Sequence, residues 1–145
     1  MFVERARGRP KASSYARRLL YRDPALGVTA VVMTWGAGQS TPVHDHAGIW
    51  CVEGVVLGRM DVIQYELQEE EAERVRFTRR DCVHATVGQA GCLIPPFEHH
   101  VLANVSGQTS ITLHIYGGEM STCNIYLPLE GDWYQRQSRG LHYDE

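Results

Sequence analysis

The sequence predicts an all-β fold, a barrel or a sandwich, and two observations support this expectation. Short segments rich in β-branched and aromatic residues recur from residue 28 onward, and glycine or proline separates most of them. Hydrophobic residues make up 43% and charged residues 21% of the 145 residues, which is ordinary for a globular protein with one core. We therefore expect one domain over residues 1–145, with the barrel core at residues 28–128.

The chain is expected to begin with one short helix and to continue as strands. Ser13 and Ser14 are both suitable caps for a helix that runs to about Tyr21, where Asp23-Pro24 would end it. The strand-like segments that follow are residues 28–35, 49–57, 60–67, 74–77, 82–87, 92–94, 101–105, 109–116 and 123–127. The last stretch, residues 131–145, is polar and is expected to be a partly disordered tail.

The composition argues against several classes of function. A net charge of -3 gives no reason to expect a nucleic-acid partner. No apolar run is long enough to span a bilayer, and the basic start (Arg5, Arg7, Arg9 and Lys11) lacks the apolar segment of a secretory signal. The four cysteines contain no CxxC pair, which argues against a disulfide scaffold or a structural zinc site. We expect a cytoplasmic protein without a membrane partner.

Two histidines stand in a spacing that is informative on a strand. His44 and His46 are two residues apart, so both imidazoles point to the same face, which is the interior in a barrel. This pair alone is weak evidence. Gly38, six residues before His44, and Gly58, twelve residues after His46, make the pattern more specific.

A second histidine element follows a pair of prolines. Pro95, His100 and Asn104 fit the pattern Pro-x-Gly-x-x-His-x-x-x-Asn, with Phe97 in the place of the glycine. Together with Gly-x5-His-x-His, this pattern resembles the two motifs of the cupin superfamily, whose fold is a double-stranded β-helix or jelly-roll barrel. Because Asn104 fixes the register, the resemblance implies that His100 rather than His99 binds the metal. The implied metal ligands are His44, His46 and His100.

Cys51 marks a narrower resemblance. It stands five residues after His46, where many cupins carry a glutamate ligand, whereas Glu53 would need a register shift to reach the metal. Cysteine at this place resembles the thiol dioxygenases of the cysteine dioxygenase family. Residues 112–116 (Thr-Leu-His-Ile-Tyr) look like that family's Ser-x-His-x-Tyr strand, and residues 15–17 (Tyr-Ala-Arg) look like its Tyr-x-Arg segment. The similarity covers roughly residues 14–127, and Trp35 and Cys123 fall on further matching positions.

The resemblance implies an Fe(II) enzyme that uses dioxygen to oxidise a small, carboxylate-bearing thiol to its sulfinate. Three neutral imidazoles suit Fe(II) and leave three positions open for a thiolate and O₂. The implied substrate-binding residues are Arg17 and Tyr15. The implied catalytic residues are Cys51, Thr112, His114 and Tyr116. In this interpretation Thr112 orients His114, His114 hydrogen-bonds the Tyr116 phenol, and Cys51 and Tyr116 are candidates for a thioether bond.

Several alternatives stay open at this point. L-Cysteine is the favoured substrate, and 3-mercaptopropionate and cysteamine are the alternatives. A cupin enzyme with different chemistry would need Glu53 as a fourth ligand, and a cupin that only binds a metal or a ligand would consume no oxygen. The protein is expected to be a monomer or a weak homodimer.

The remaining candidates are expected to have structural roles. Cys82 and Cys92 are expected to pack in the core, because free cysteine behaves as a small apolar residue. Trp50 should face away from Cys51 and pack outside the barrel, and Trp35 should pack beneath the metal-bearing strand. His84 and His142 have no partner spacing.

Overall fold

The computed structural model describes residues 9–144, and within this range the chain forms strands joined by turns. The strands, numbered in chain order, are β1 (Ala16–Asp23), β2 (Val28–Trp35), β3 (Val43–His44), β4 (Cys51–Leu57), β5 (Arg59–Glu70), β6 (Arg74–Thr86), β7 (Ala90–Leu93), β8 (His100–Ala103), β9 (Ser110–Tyr116), β10 (Thr122–Pro128) and β11 (Trp133–Gly140). Arg5 and Arg7, from the basic start of the sequence, lie outside the described residues. Between residues 9 and 144 there is no helix of the length and hydropathy that crossing a membrane requires.

The strands form two antiparallel layers that enclose the core. One is a five-stranded sheet in the order β1-β2-β9-β4-β7, and the other closes as a barrel in the order β10-β11-β6-β5-β8-β3. Between the layers lies an apolar cluster that includes Val31, Met33 and Trp35 from β2 and Leu102 from β8. These β2 residues are two apart, so they share the inward face that a period of two predicts. The predicted all-β fold is confirmed.

The predicted N-terminal helix is wrong. Residues 16–23 form β1, which pairs antiparallel with β2 from Ala16 opposite Thr34 to Asp23 opposite Val28. Asp23 does not end a helix. Its Oδ1 accepts hydrogen bonds at 3.0 Å from the backbone N–H groups of Ala25 and Leu26, and thereby shapes the β1–β2 turn. The capping signal at Ser13 and Ser14 is local, and pairing with β2 outweighs it.

Two other boundaries also differ from those predicted. Residues 74–77 and 82–87, predicted as separate strands, form one strand, β6, which ends at Thr86 and pairs with β5 through two register shifts. The polar stretch at the C-terminus is largely ordered, because β11 pairs with β10 from Thr122 opposite Gly140 to Pro128 opposite Tyr134. The backbone ladder does not depend on side-chain polarity, so a polar strand can form where a neighbour offers unpaired backbone groups.

Candidate active site

Three histidine rings converge inside the barrel near one end. His44 on β3 is the backbone partner of His100 on β8, and His46 follows β3 in the chain. The ring centroids are 4.4 Å apart for His44 and His100, 4.9 Å for His46 and His100, and 5.4 Å for His44 and His46. Imidazoles bound to one ion at about 2.1 Å have centroids roughly 4.5 to 5.3 Å apart, for bond angles between octahedral and tetrahedral values. The three observed separations fall within this range or about 0.1 Å outside it, and one nitrogen of each ring lies within 4.8 Å of the others, so one metal ion fits between the rings.

The backbone sets the orientation of two of these rings. The Nδ1 atom of His44 lies 3.1 Å from the Pro42 carbonyl oxygen, and the Nδ1 atom of His100 lies 2.9 Å from the Glu98 carbonyl oxygen. Because a carbonyl can only accept, Nδ1–H donates in both cases, and Nε2 keeps its lone pair for a metal. The Nε2 atom of His100 is buried without a hydrogen-bond partner, as expected of a ligand atom that awaits an ion.

Burial also keeps the three imidazoles uncharged. It lowers the pKa of His46 to about 2 and that of His100 to about 3, and it lowers the pKa of His44 in the same direction. Neighbouring imidazoles lower the pKa in the same direction, His44 acting on both His46 and His100, because a second positive charge beside the first would be repelled. A neutral imidazole is the form that binds a metal, so the trio fits a divalent ion.

Asp45 fixes the segment between the first two histidines. Its Oδ1 accepts hydrogen bonds from the backbone N–H groups of Ala47 at 3.1 Å and Asn124 at 2.9 Å. Its Oδ2 accepts from the Tyr126 hydroxyl at 3.0 Å and from Asn124 Nδ2 at 3.2 Å. The carboxylate is 6% exposed, so these contacts are made largely away from water. Asp45 thus ties the His44–His46 segment to β10.

Glu53 is a buried carboxylate beside the histidine trio. It faces the barrel interior without any register shift, because it lies two residues after Cys51 on β4. Its Oε1 is 3.7 Å from His100 Nε2, and its Oε2 is 3.2 Å from His114 Nδ1. Burial opposes its ionisation, but the neighbouring imidazoles of His100, His114 and His44 together lower the pKa of Glu53. The ligand atoms of Cys51, Glu53 and His114 also lie within 4.8 Å of one another, which makes a second candidate metal trio.

Thr112 holds His114 as the sequence predicts, but the predicted hydrogen bond to Tyr116 is wrong. Thr112 Oγ1 lies 2.7 Å from His114 Nε2 and accepts a hydrogen bond from Trp35 Nε1 at 3.0 Å. The other nitrogen of His114 faces Glu53. The rings of His114 and Tyr116 are stacked, with centroids 6.2 Å apart and planes 12° apart. Nε2 of His114 is taken by Thr112, and Nδ1 has no hydrogen-bond partner among the described residues, so neither ring nitrogen is hydrogen-bonded to Tyr116.

Cys51 and Tyr116 are neighbours across two strands. They are direct backbone partners in the β4–β9 pairing, and both side chains are buried. Cross-strand partners have Cβ atoms about 4.5 to 5.5 Å apart, which is close enough for a thiol and a tyrosine ring to meet. Burial raises the pKa of the Cys51 thiol, and it raises the pKa of Tyr116 well above its ordinary value, so both are protonated at neutral pH without a metal.

Arg17 and Tyr15 lie at the open side of the histidine trio. A cavity of about 30 Å³ is lined by both residues, by His44 and His46, and by Tyr116. Arg17 is only 6% exposed, and its Nη2 atom is buried without a hydrogen-bond partner. A buried guanidinium nitrogen without a hydrogen-bond partner, beside a cavity, is suited to bind an anionic group of a ligand.

The C-terminal segment covers this arginine, which the sequence did not suggest. The backbone N–H of Asp144 donates to the Arg17 carbonyl at 2.6 Å, and the Arg17 N–H donates to Asp144 Oδ2 at 2.9 Å. The Arg17 guanidinium lies 4.6 Å from the ring centre of Tyr143. Leu141 and Arg139 line the same small cavity. Only the fold brings these residues to the site, because more than 120 residues separate them from Arg17 in the chain.

The other sequence candidates have varied positions. His99 points away from the trio and packs against Phe77, with ring centroids 5.0 Å apart. Cys92 is exposed rather than part of the core, and Cys82 is half-buried. Cys82 groups with Asp61 and His84 on the surface of β5 and β6, which gives a third possible metal trio.

The tryptophans and Cys123 lie close to the places expected. Trp50 packs outside the barrel against Gly117, where any added Cβ would be 2.0 Å from its Nε1. Trp35 is fully buried, and its ring lies 4.7 Å from that of Tyr15 with the two planes tilted by 37°. Cys123 lines the small cavity, and burial raises the pKa of its thiol to about 11.

Comparisons with known proteins agree with this architecture. Residues 11–127 match the family model for cysteine dioxygenase type I. The fold is similar to that of an uncharacterized conserved protein with a double-stranded β-helix domain from Klebsiella pneumoniae, with 16% identity, 80% coverage of each chain and a TM-score of 0.61. It is also similar to the protein TT1209 from Thermus thermophilus, with 18% identity, coverage of 79% of this chain and 91% of that one, and a TM-score of 0.57. A third similar structure is oxalate oxidase in complex with glycolate, with 17% identity, coverage of 81% and 58%, and a TM-score of 0.57. At such identities the structural likeness shows the fold alone, and it confirms the predicted double-stranded β-helix.

Proposed function

Because the chain belongs to the cysteine dioxygenase type I family, we propose that it is an iron(II)-dependent thiol dioxygenase with L-cysteine as its favoured substrate. The observation that carries the proposal is the position of three groups around one small cavity. The cavity is lined by histidines of the metal trio, by the tyrosine opposite Cys51, and by the unpaired guanidinium of Arg17. These groups correspond to a thiol and O₂ site, a phenol donor and a carboxylate site.

The proposed reaction converts a thiolate and O₂ to a sulfinate. The O–O bond breaks, two S–O bonds form, and the four electrons that sulfur loses are accepted by the two oxygen atoms. Iron(II) held by His44, His46 and His100 would supply the chemistry, because it lowers the pKa of a thiol and brings sulfur and O₂ together. Substrate binding, hydrogen-bond donation and exclusion of water are the work of side chains of this protein.

Arg17 binds the substrate carboxylate in this proposal. Its guanidinium is held between the Tyr143 ring, 4.6 Å away, and the Tyr116 ring, 5.9 Å away, so it is fixed before a substrate arrives. A planar guanidinium can donate two parallel hydrogen bonds to one carboxylate. The substrate is thereby oriented with its sulfur toward the histidine trio, and this positioning supplies much of the rate enhancement.

Tyr116 donates a hydrogen bond to the reacting groups. Because burial raises the pKa of this phenol, it keeps its proton at neutral pH and acts as a donor rather than an acceptor. Its ring centroid is 5.8 Å from that of His46, and both residues line the same cavity, so the phenol borders the metal trio. A thioether bond to Cys51 would restrain the ring in this position.

Apolar side chains keep the site dry. Met33, Leu102, Met120, Ile125 and Leu141 line the cavity, and its apolar character strengthens each polar contact made there. Water is thereby kept from competing with the thiol and with O₂.

Oxygen uptake by the iron-loaded protein tests the proposal. The protein is loaded with Fe(II) without air, and O₂ consumption and sulfinate formation are measured with L-cysteine, 3-mercaptopropionate and cysteamine. The proposal predicts uptake with the first two and a preference for L-cysteine over cysteamine, which has no carboxylate. Equal rates with L-cysteine and cysteamine would remove the role of Arg17. No uptake with any thiol would favour a cupin that only binds a metal or a ligand.

A second candidate function is favoured by one observation, the position of Glu53. Its Oε1 is 3.7 Å from His100 Nε2, and donor atoms bound to one ion at about 2.1 Å are about 3.0 to 4.2 Å apart. Glu53 as a fourth ligand would give the donor set of cupin enzymes that oxidise a carbon substrate. The variant Glu53→Gln separates the two candidates, because it would release the metal under the second and retain it under the first. Metal content after gel filtration is the measurement.

A further inference from the structure

A second and larger cavity lies on the far side of His114. It has a volume of about 370 Å³, in the range of small-molecule sites, whereas the cavity beside Arg17 measures about 30 Å³. Val55, Met60, Val62 and Leu93 form apolar parts of its wall. Both cavities reach His114, so this ring forms part of the wall between them. We call the larger cavity the β7 chamber, because the edge strand β7 forms one side of it.

A glycine keeps the β7 chamber open. Gly91 on β7 is the direct backbone partner of Glu53 on β4, and Leu93, two residues further along β7, is buried. Residues two apart share a face, so a side chain at position 91 would project into the chamber beside Glu53. A Cβ added at Gly91 would meet no atom within 4 Å. The space beside the Glu53 carboxylate is therefore left free by the absence of a side chain at position 91.

The polar end of the β7 chamber has unsatisfied groups. Glu53 is 8% exposed and His114 is 1% exposed, and both line the chamber. Glu53 Oε2 and His114 Nδ1 are 3.2 Å apart, but they are not aligned as a hydrogen bond, and neither atom has another hydrogen-bond partner within the described part of the chain. Buried polar atoms without partners are costly, and a ligand that supplies a donor would remove this cost.

The charges around the β7 chamber favour a cation over an anion. Glu53 is its one carboxylate, and none of the described residues that line it is a lysine or an arginine. The small cavity on the other side of His114 has the opposite character, since Arg17 and Arg139 line it. In charge, a carboxylate-bearing thiol is thus matched to the small cavity, and a ligand with a positive head group is matched to the β7 chamber.

We propose that the β7 chamber is a second ligand site, which binds a small amphipathic amine with its ammonium group on Glu53 and its hydrocarbon chain against the apolar wall. The ammonium group donates to Glu53 Oε2, the atom that lacks a partner. The hydrocarbon chain lies beside Gly91. The proposal does not rest on the proposed thiol oxidation, because it concerns a different cavity and needs no metal, although His114 lines both cavities.

Three isosteric probes test the proposal on the unaltered protein. Hexylammonium, hexanol and hexanoate each contain six carbon atoms in an unbranched chain and differ in the head group. Their affinities are measured by isothermal titration calorimetry, on Fe(II)-loaded protein without air and on metal-free protein. Hexylammonium should bind about tenfold more tightly than hexanol, the ratio expected from one charge-assisted hydrogen bond, and hexanoate should bind most weakly. Equal affinities for hexylammonium and hexanol would overturn the proposal.

Two variants locate the binding. Glu53→Gln keeps the shape of the side chain and should remove the preference for hexylammonium over hexanol. Gly91→Phe should fill the chamber and weaken both probes. Gly107→Phe is the matched control, because Gly107 also has no atom within 4 Å of an added Cβ and does not line the chamber. Unchanged affinities in Gly91→Phe would place the binding elsewhere and refute the proposal. Circular dichroism shows whether each variant is folded. If a variant is unfolded, the comparison of the three probes on the unaltered protein tests the proposal by itself.

Discussion

Replacement of Arg17 by methionine separates carboxylate binding from the chemistry at sulfur. Methionine keeps an unbranched apolar side chain between the Tyr116 and Tyr143 rings, so the packing at this position changes little. What it removes is the guanidinium, whose Nη2 atom is buried and without a partner in the absence of substrate. We expect the activity toward carboxylate-bearing thiols to fall while the metal stays bound.

The size of the effect follows from the burial of Arg17. The side chain is 6% exposed, so a carboxylate bound to it is largely shielded from water. A hydrogen bond to a charged group contributes about 1.5 to 3 kcal/mol. Loss of a bidentate contact between the guanidinium and the substrate carboxylate should therefore cost about 3 kcal/mol. At 1.4 kcal/mol for each factor of ten, kcat/KM for L-cysteine should fall about a hundredfold. The value for cysteamine should change little, because cysteamine has no carboxylate.

The assay is sulfinate formation with both thiols, measured on the unaltered protein, on Arg17→Met and on Arg18→Met. Arg18 is a suitable control because neighbours on a strand face opposite ways, and its Nη2 donates to the Arg9 carbonyl at 3.0 Å. An equal loss of activity toward L-cysteine and cysteamine in Arg17→Met would refute the role given to Arg17. It would mean that the arginine supports the fold of the site and does not select the substrate.

Three further predictions concern the metal trio and its support. His100→Ala should bind no iron by elemental analysis, whereas His99→Ala should bind as much as the unaltered protein, and the reverse result would exchange their roles. Asp45→Ala removes four hydrogen bonds at a buried carboxylate. It should lower the free energy of unfolding by about 3 kcal/mol in urea titrations. A loss below about 1 kcal/mol would contradict the structural role of Asp45. After turnover, peptide mass spectrometry should find the Cys51 and Tyr116 peptides joined with the loss of two hydrogen atoms. The variant Cys51→Ser should abolish this species. Absence of the joined peptides from the unaltered protein would exclude the thioether bond.

The sequence was a good guide wherever a short-range rule governs the structure. On a strand a spacing of two residues places side chains on one face, which predicted that His44 and His46 point the same way. Their rings do converge, although only His44 lies within β3. The same rule placed Thr112 and His114 in contact, with a hydrogen-bond distance of 2.7 Å. The sequence spacing between His100 and Asn104 in the motif indicated that His100, and not His99, faces inward.

The rest depended on contacts between distant parts of the chain. Residues 16–23 carry a plausible helix cap, but their conformation is decided by hydrogen bonding to β2. The position of Tyr143 over Arg17 depends on the chain returning across the site after β11. Glu53 lies on the same strand face as Cys51, and this could have been inferred from spacing, but its closeness to His100 and His114 required the fold.

The most direct test of this account is to locate the metal in crystals of the iron-loaded protein by anomalous diffraction at the iron edge. The account predicts one peak about 2.1 Å from Nε2 of His44, Nε2 of His100 and one ring nitrogen of His46, with no ligand atom from Cys51. A principal peak within the trio of Cys51, Glu53 and His114, or at the surface trio of Asp61, Cys82 and His84, would contradict it.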